Sequence, residues 1–538
     1  MEPTAFTRLK GFGWGVVALL TLLVLFLEGY WAQQSGMWRD EALFLFVVRM
    51  PLRDMMTFLA HHESHPPFFY FMMRAWQGIF GPSVRAANWL PILFYALVIP
   101  SAYGIAQKIF SQRAAFLAIL LIVTSPISTL IFRTIRPYSF LALLCLLATF
   151  ALWRAISGGW REWLAYGGLM VVMLYSHNWS WVVLGAQWGT IAAIVLLGHV
   201  PRKTLGAFLV TQLGIGLLFA PWFPVLLYQA ANCGQDYKPL PPILTALSPF
   251  FSSLFSLPGW LGMGATALLI LVALFSARKP GEGSAEILGY WFFVGGPLLG
   301  LGLAVLLSLK SNLLIVHCYT ILFPTLLVGL AGMMAAPSPL WGRILTGILA
   351  LVFLVANLES FKTYLLMSRS NAREIAQALA HEVQPTDLVI VSPQWLASSF
   401  NYYFMPNNSQ IDYPLQQRAG AVPWDRLKVR LSDPIPVQQT FERIKAAHQK
   451  GERVWLVEEA SNVSWYQRYG MVVDLNTGVP PFMLRASWYP LSLYRTGQLM
   501  KLLGNLYGMP KVALSSQGGA RLENLEAFLF STKPIQAR

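Results

Sequence analysis

Charge is what this chain has little of. Asp, Glu, Lys and Arg make up only 12% of its 538 residues, about half of the roughly 25% usual in soluble domains. Apolar residues reach 56% and the mean hydropathy is +0.52. That leaves too little polar surface for a water-soluble enzyme of this length, and it equally excludes a disordered or a fibrous chain. Acids are the scarcer sign, 24 against 39 Lys plus Arg, for a net charge of +15. In an apolar, polytopic chain such an excess marks basic cytoplasmic loops rather than a nucleic-acid surface. The three cysteines, Cys145, Cys233 and Cys318, stand far apart, so neither a disulfide framework nor a zinc cluster is expected. The first apolar run follows Arg8 and Lys10, is too long for a signal-peptide core and lacks a small-residue cleavage site; it reads as an anchor.

What is present is a repeating pattern of long apolar runs. Residues 1–357 carry 10 acids and residues 358–538 carry 14. Before this shift, runs of about 20 residues recur, the length that crosses roughly 30 Å of hydrocarbon. They predict about eleven spans: 12–31, 86–107, 114–132, 137–153, 163–176, 179–198, 205–228, 248–276, 286–308, 313–335 and 341–357. The run 66–80 is too short and carries Arg74, so it reads as an interfacial or re-entrant helix of the first outer loop. With the N-terminus in the cytoplasm, Lys108/Arg113, Arg154/Arg161, Arg202/Lys203, Arg278/Lys279 and Arg343 all fall on that side. The chain then divides into a membrane domain, 1–357, and an extracytoplasmic domain, 358–538. In the latter, a helix from Asn371 through His381, a strand at 386–392, a helix at 436–450 and a strand at 452–460 predict a small α/β fold.

The same topology gathers polar residues on the outer face. The first outer loop brings Asp40 and Glu41, then His61, His62, Glu63 and His65. The second brings Arg133, Arg136 and Tyr138, the third His177 and Asn178, and later spans end near Asp236, Lys238, Lys310 and His317. Each residue has two readings. Asp40 and Glu41 suit either a helix N-terminus or a general base beside a membrane cleft. Arg133 and Arg136 either snorkel to the interface or grip a phosphate with a forked guanidinium. Lys310 is either an end anchor or a phosphate contact, and His177 and His317 either pack or bind. His61, His62 and Glu63 have ligand chemistry for a divalent metal ion, yet their spacing matches no dedicated zinc motif. Trp395, Tyr402, Tyr403, Trp455, Trp465 and Tyr466 offer sugar-stacking faces or a core.

These segments carry a resemblance. W-R-D-E-A-L at 38–43, S-H-P-P-F-F-Y-F-M-M-R-A-W from Ser64, R-T-I-R-P-Y-S-F-L at 133–141, Y-S-H-N-W at 175–179 and H-C-Y-T-I-L-F-P at 317–324 together resemble family 39 of the GT-C glycosyltransferases. That group contains protein O-mannosyltransferases and aminoarabinose transferases. The resemblance implies inverting transfer of a sugar from a polyprenyl-phosphate carrier to an acceptor on the outer face. It implies Asp40 as the acceptor-activating base with Glu41 beside it, and Arg136 and Tyr138 on the donor side. Two departures stand out: His317 occupies a position where the family usually has Arg, and Pro137 stiffens the Arg136–Tyr138 step. Relatives differ in metal use, so the resemblance requires no cofactor and leaves a divalent ion open.

The residues alone support the same chemistry, with Arg133, Arg136 or Lys310 stabilising a leaving phosphate at the interface. The expected partners are a polyprenyl-phosphate-linked sugar, a lipid, glycan or protein acceptor, and membrane lipids, with no nucleic acid. A lipid-linked glycan polymerase or ligase shares this outer-face logic. A secondary transporter places its charges at midplane within internal repeats, and no convincing repeat is present. An assembly or sensor protein is the remaining rival.

Overall fold

The computed structural model describes residues 3–233, 247–252, 256–276, 284–309, 316–336, 339–414, 423–459, 475–479, 488–515, 520 and 522–532. Lys310, Asp236, Lys238, Trp465 and Tyr466 lie outside the described residues. The chain forms two compact units. Unit 1 holds residues 1–33, 65–226 and 240–366; unit 2 holds 34–64, 227–239 and 367–538.

Unit 1 is helical. Among the described residues seven helices are long and apolar enough to cross a membrane: Phe12–Gln34, Val84–Ile109, Tyr138–Ala155, Lys203–Asn232, Ala285–Ser308, His317–Ala335 and Leu340–Leu366. Gln112–Thr124, Ser180–Leu196 and Gly259–Leu271 are shorter apolar helices, and Trp160–Leu174 is another short one. The expected run 114–132 breaks at Ser125-Pro126, because proline removes a backbone donor and clashes with the preceding turn; a seven-residue helix, Pro126–Phe132, follows. The Phe68–Phe80 helix has 13 residues, about 20 Å at 1.5 Å per residue, too short to cross. It ends at Gly81, whose φ of 88° is open to glycine at little cost.

The helices sort by burial. His317–Ala335 is 94% buried over its apolar window, whereas Lys203–Asn232 is 17% buried. The latter exposes Leu209, Val210, Leu213 and Leu217. A row of bare aliphatic side chains is costly in water and stable against lipid tails. The chain is therefore an integral membrane protein with a packed helical interior.

Unit 2 is an α/β fold around a five-stranded sheet of order β2-β1-β3-β5-β4. The strands are β1 (Leu388–Val391), β2 (Ser409–Asp412), β3 (Val454–Glu459), β4 (Lys511–Leu514) and β5 (Leu525–Phe530). β2, β1 and β3 run parallel, β5 is antiparallel to β3, and β4 is antiparallel to β5. β1 and β3 coincide with the two strands expected from their apolar runs. Ala372–Glu382 and Pro434–Gln449 coincide with the two expected helices. Both faces of the sheet are covered. Val389, Val391, Trp455 and Val457 pack against Ile375, Leu379, Phe400 and Leu427; Leu388, Ile390, Val454 and Leu456 pack against Val437, Ile444, Leu499 and Leu502. Continuous burial on both sides explains why β1 reads LVIV, with no polar alternation.

One sheet residue is unusual. Glu458 is fully buried near the end of β3 and pairs across the ladder with Glu526. Burial first, then Glu526 and Glu459, push its carboxyl up to about 8. Between the ordinary value of 4.5 and about 8, the folded chain holds a proton that the unfolded chain has released. Stability should therefore fall as pH rises through this window, by up to about 1.4 kcal/mol per pH unit. Glu458→Gln is expected to flatten that part of the profile, measured as thermal midpoint against pH.

Candidate active site

The polar residues of unit 1 converge through three short connections. Pro66 and Pro67 precede the Phe68–Phe80 helix, and proline at a helix start leaves no donor wasted. The Phe68 N–H then donates to the Tyr175 carbonyl at 2.9 Å, tying this connection to the turn at 175–179. The result brings His65 Nε2 to 3.1 Å from His177 Nε2, with the two rings edge to face at 4.6 Å. Arg136 arrives from the turn between Pro126–Phe132 and Tyr138–Ala155, and its Nη2 lies 3.1 Å from His65 Nε2. Pro137 enters with helix-compatible dihedrals (φ −73°, ψ 3°), so the chain turns directly into helix at Tyr138. Tyr138 stands between two imidazoles, with ring centroids 5.1 Å from His317 and 6.0 Å from His177.

The tautomers follow from the backbone. The Trp179 N–H donates to His177 Nδ1 at 3.0 Å. A neutral imidazole whose Nδ1 accepts must carry its proton on Nε2. His177 is therefore the donor to His65, and His65 Nε2 accepts from both His177 and Arg136. Burial above all, then His65, Arg136 and His317, holds His177 well below its usual value. Every charged group acting on His177 is basic. The cluster of His65, Arg136, Tyr138, His177 and His317 thus combines one fixed cation with imidazole and phenol donors, a set suited to an anion such as phosphate. Asn178 shares the turn and is half-buried.

Arg133 takes a different course. Its guanidinium is fully buried and donates to the carbonyls of Leu365 (2.9 Å) and Tyr364 (3.1 Å), with Glu28 at 3.8 Å. It caps the end of the Leu340–Leu366 helix, where unpaired carbonyls carry partial negative charge. The two arginines of R-T-I-R, alike in sequence, serve separate purposes here.

In unit 2 the acid pair divides in the same way. The Arg39–Arg49 helix starts at Trp38, whose N–H donates to Glu41 Oε2 at 3.1 Å. Glu41 Oε1 meets Arg369 Nη1 at 2.5 Å, and neither side chain is exposed. Ser35 Oγ accepts from the Arg369 backbone N–H at 2.7 Å. Gly36 lies so close that an added Cβ would sit 2.6 Å from the Ser370 carbonyl oxygen. Glu41 is thus a buried cap and counter-ion. Asp40 remains about a quarter exposed, with Arg39 Nε 3.8 Å away; Arg39 also approaches Glu459 at 3.7 Å.

In the first loop the three residues with ligand chemistry separate. His61 Nδ1 is 3.0 Å from the Thr57 carbonyl, His62 Nδ1 is 2.8 Å from Asp425, and Glu63 accepts from the Ser64 N–H at 2.8 Å. Adjacent in sequence, the three are drawn to separate partners. Among the described residues no group of three or more His, Cys, Asp or Glu is arranged to hold a metal ion.

The fold of the chain, a helical bundle with an added α/β unit, is shared with ArnT and with an archaeal oligosaccharyltransferase. Residues 64–228 match the dolichyl-phosphate-mannose-protein mannosyltransferase family, a stretch that contains His65, Arg136, Tyr138 and His177. The chain is similar to ArnT from Cupriavidus metallidurans bound to undecaprenyl phosphate, at a TM-score of 0.54 and 12% identity over 96% of this chain and 98% of ArnT. It is also similar to the same ArnT in the apo state (TM-score 0.55, 12% identity, 84% and 94% covered). An apo oligosaccharyltransferase from Archaeoglobus fulgidus gives a TM-score of 0.53 and 12% identity, with 88% of this chain and 72% of that chain covered. No curated protein matches the chain by sequence.

Glu41→Gln leaves the Arg369 cation buried without its counter-charge. It is expected to cost about 3–5 kcal/mol, seen as a lowered thermal midpoint. Adding Arg369→Met should recover part of the loss, an outcome that a catalytic role for Glu41 does not predict.

Proposed function

We propose that this protein is a membrane glycosyltransferase that moves a sugar from a polyprenyl-phosphate carrier to an acceptor. The observation that carries the reading is the convergence of His65, Arg136, Tyr138, His177 and His317 within unit 1. A carrier lipid keeps its chain in the bilayer and its phosphate at the interface, and a buried guanidinium backed by imidazoles suits that phosphate. The match of residues 64–228 to a dolichyl-phosphate-mannose-dependent family supports the donor class. The undecaprenyl phosphate bound by ArnT supports the same class.

In the proposed reaction an acceptor hydroxyl or amine attacks the anomeric carbon. The bond from that carbon to the phosphate oxygen breaks, and the phosphate leaves with the bonding electrons. Arg136, with His65 and Tyr138, stabilises the charge that develops there. His177 positions His65 through its Nε2–H, and His317 adds a second imidazole beside Tyr138. Asp40, the exposed member of the acid pair, takes the acceptor proton. A single displacement inverts the anomeric configuration. Lys310 is proposed as a further phosphate contact and Asn178 as a residue of the substrate cleft.

On this reading the N-terminus lies in the cytoplasm and unit 2 outside it, an orientation that the basic loops support. An alkaline-phosphatase fusion at the C-terminus should be active and a green-fluorescent fusion dark; the reverse pattern removes this orientation.

The chemical test uses a radiolabelled lipid-linked sugar and detergent-extracted protein, reading release of free polyprenyl phosphate. Asp40→Asn is expected to lower turnover about 10²–10⁴-fold, the usual contribution of a general base, with the thermal midpoint kept. Arg136→Ala should chiefly weaken donor binding. Near-native turnover of Asp40→Asn would take Asp40 out of the mechanism, and unchanged donor affinity would do the same for Arg136.

A further inference from the structure

Unit 1 holds polar side chains that the proposed transfer does not use, within the helices that lead away from its basic cluster. Tyr138–Ala155 begins at Tyr138, Ser180–Leu196 follows the turn of His177, and His317–Ala335 begins at His317. About two turns further along these helices, Cys145, Gln187 and Thr325 line one cavity, joined by Thr149, Thr190 and Gly296. The five side chains beside the glycine are each at most 5% exposed. The cavity leaves about 10 Å³ for the centre of a water molecule, which is about the room of one water.

The hydrogen bonds around the cavity say what it presents. The Tyr166 hydroxyl accepts from Gln212 Nε2 at 3.1 Å and therefore gives its own proton to Gln187 Oε1 at 2.9 Å. That settles the orientation of the Gln187 amide. Its Nε2 is buried and has no hydrogen-bond partner among the described residues. Thr325 donates to Cys145 Sγ at 3.7 Å, and Thr190 donates to the Ala186 carbonyl at 2.9 Å. With their protons used, both hydroxyls offer only lone pairs to a further partner. The backbone is irregular at the same place. Ala285–Ser308 passes through a π turn, Trp291–Gly295, just before Pro297, and Phe292 and Pro297 line the cavity too. Such turns recur at functional sites.

One donor and two acceptors around a space of this size define the guest. A water accepts one hydrogen bond and donates two, which is the complement of Gln187 Nε2, Thr190 and Thr325. No charged residue lines the cavity, so an ion there would lose its hydration without a counter-charge. A methyl group of a lipid tail fits the volume but leaves the Gln187 N–H unsatisfied, which is costly in an apolar interior. Burial at this depth suits a trapped water better than a ligand that must diffuse in.

We propose that this cavity binds one water molecule, which accepts from Gln187 Nε2, donates to Thr190 and Thr325, and so ties together the three helices that lead from Tyr138, His177 and His317. The water does between these helices what a polar side chain does elsewhere in a membrane bundle, bonding across an interface that apolar packing alone leaves loose. The site lies wholly within unit 1 and does not rest on the transfer reaction described above.

The Cys145 thiol, which lines the cavity, reports on its contents. The full-length protein carrying Cys233→Ala and Cys318→Ala is transferred in detergent into heavy water, and the S–H stretch of Cys145 is followed by infrared spectroscopy. A water beside the thiol should convert the band to S–D while the protein stays folded. Thr190→Val removes one acceptor at nearly constant volume and should slow conversion about tenfold, the effect of one hydrogen bond. Gly296→Ala should slow it further, because its methyl enters the cavity with Thr190 Oγ1 3.4 Å away. Gly302→Ala, on the same helix with nothing within 4 Å of the added carbon, should leave the rate unchanged. Thermal midpoints report that each variant is folded. An S–H band that persists without either cavity substitution means a dry or lipid-filled cavity and overturns the proposal. Conversion at one rate in all these proteins, which means exchange by opening of the bundle, overturns it as well.

Discussion

A charge inside an apolar fold must meet an acceptor placed there by the chain, because neither lipid nor packed side chains solvate it. Three of the buried arginines answer this constraint in three ways, and much of the architecture follows. Arg369 meets a full counter-charge in Glu41. Arg133 meets the carbonyl end of a helix, helped by Glu28. Arg136 meets His65 Nε2, an acceptor without charge of its own. The first two pairings neutralise the guanidinium and hold segments together. The third sets the guanidinium beside an imidazole, donor chemistry that suits the anionic leaving group of the proposed transfer.

The acceptor for Arg136 exists because of a backbone donor. Had His177 carried its proton on Nδ1, its Nε2 would compete with His65 as an acceptor and the two lone pairs would oppose each other. The Trp179 N–H excludes that tautomer by occupying Nδ1. The turn that supplies this N–H is fixed in turn by Phe68 N–H to Tyr175 O, and Phe68 is placed by the Pro66-Pro67 step. A chain of backbone contacts therefore sets the protonation pattern of two side chains. The surrounding basic groups and burial both favour a neutral His177, so the tautomer argument and the electrostatics agree.

Much of this was legible from the residues in order. Long apolar runs gave the spans, and the LVIV and VWLVEE runs gave β1 and β3, because strands buried on both faces read as unbroken apolar stretches. β2 was not legible: SQID has four residues and only its last two are buried. Nor was the membership of residues 34–64 in unit 2, which is visible in contacts such as Glu41 with Arg369, 328 positions apart. Arg133 and Arg136 looked equivalent within FRTIRPYSF. What separates them is a helix end 232 residues downstream of Arg133, and local pattern carries no trace of such a distant partner. For His61, His62 and Glu63 the converse holds. Proximity along the chain suggests a shared ligand, whereas the fold turns each to a different neighbour.

The acid pair shows how a structural residue can place a chemical one. Successive helix positions differ by about 100°, so Asp40 and Glu41 cannot both point into the same surroundings. Glu41 is drawn inward by two bonds, one from Trp38 N–H and one from Arg369. That fixes the rotation of the first turn of the Arg39–Arg49 helix, and Asp40 is left partly exposed beside Arg39. The bond that buries Glu41 thus determines where the proposed base stands, although Glu41 itself is too enclosed to take a proton from any substrate.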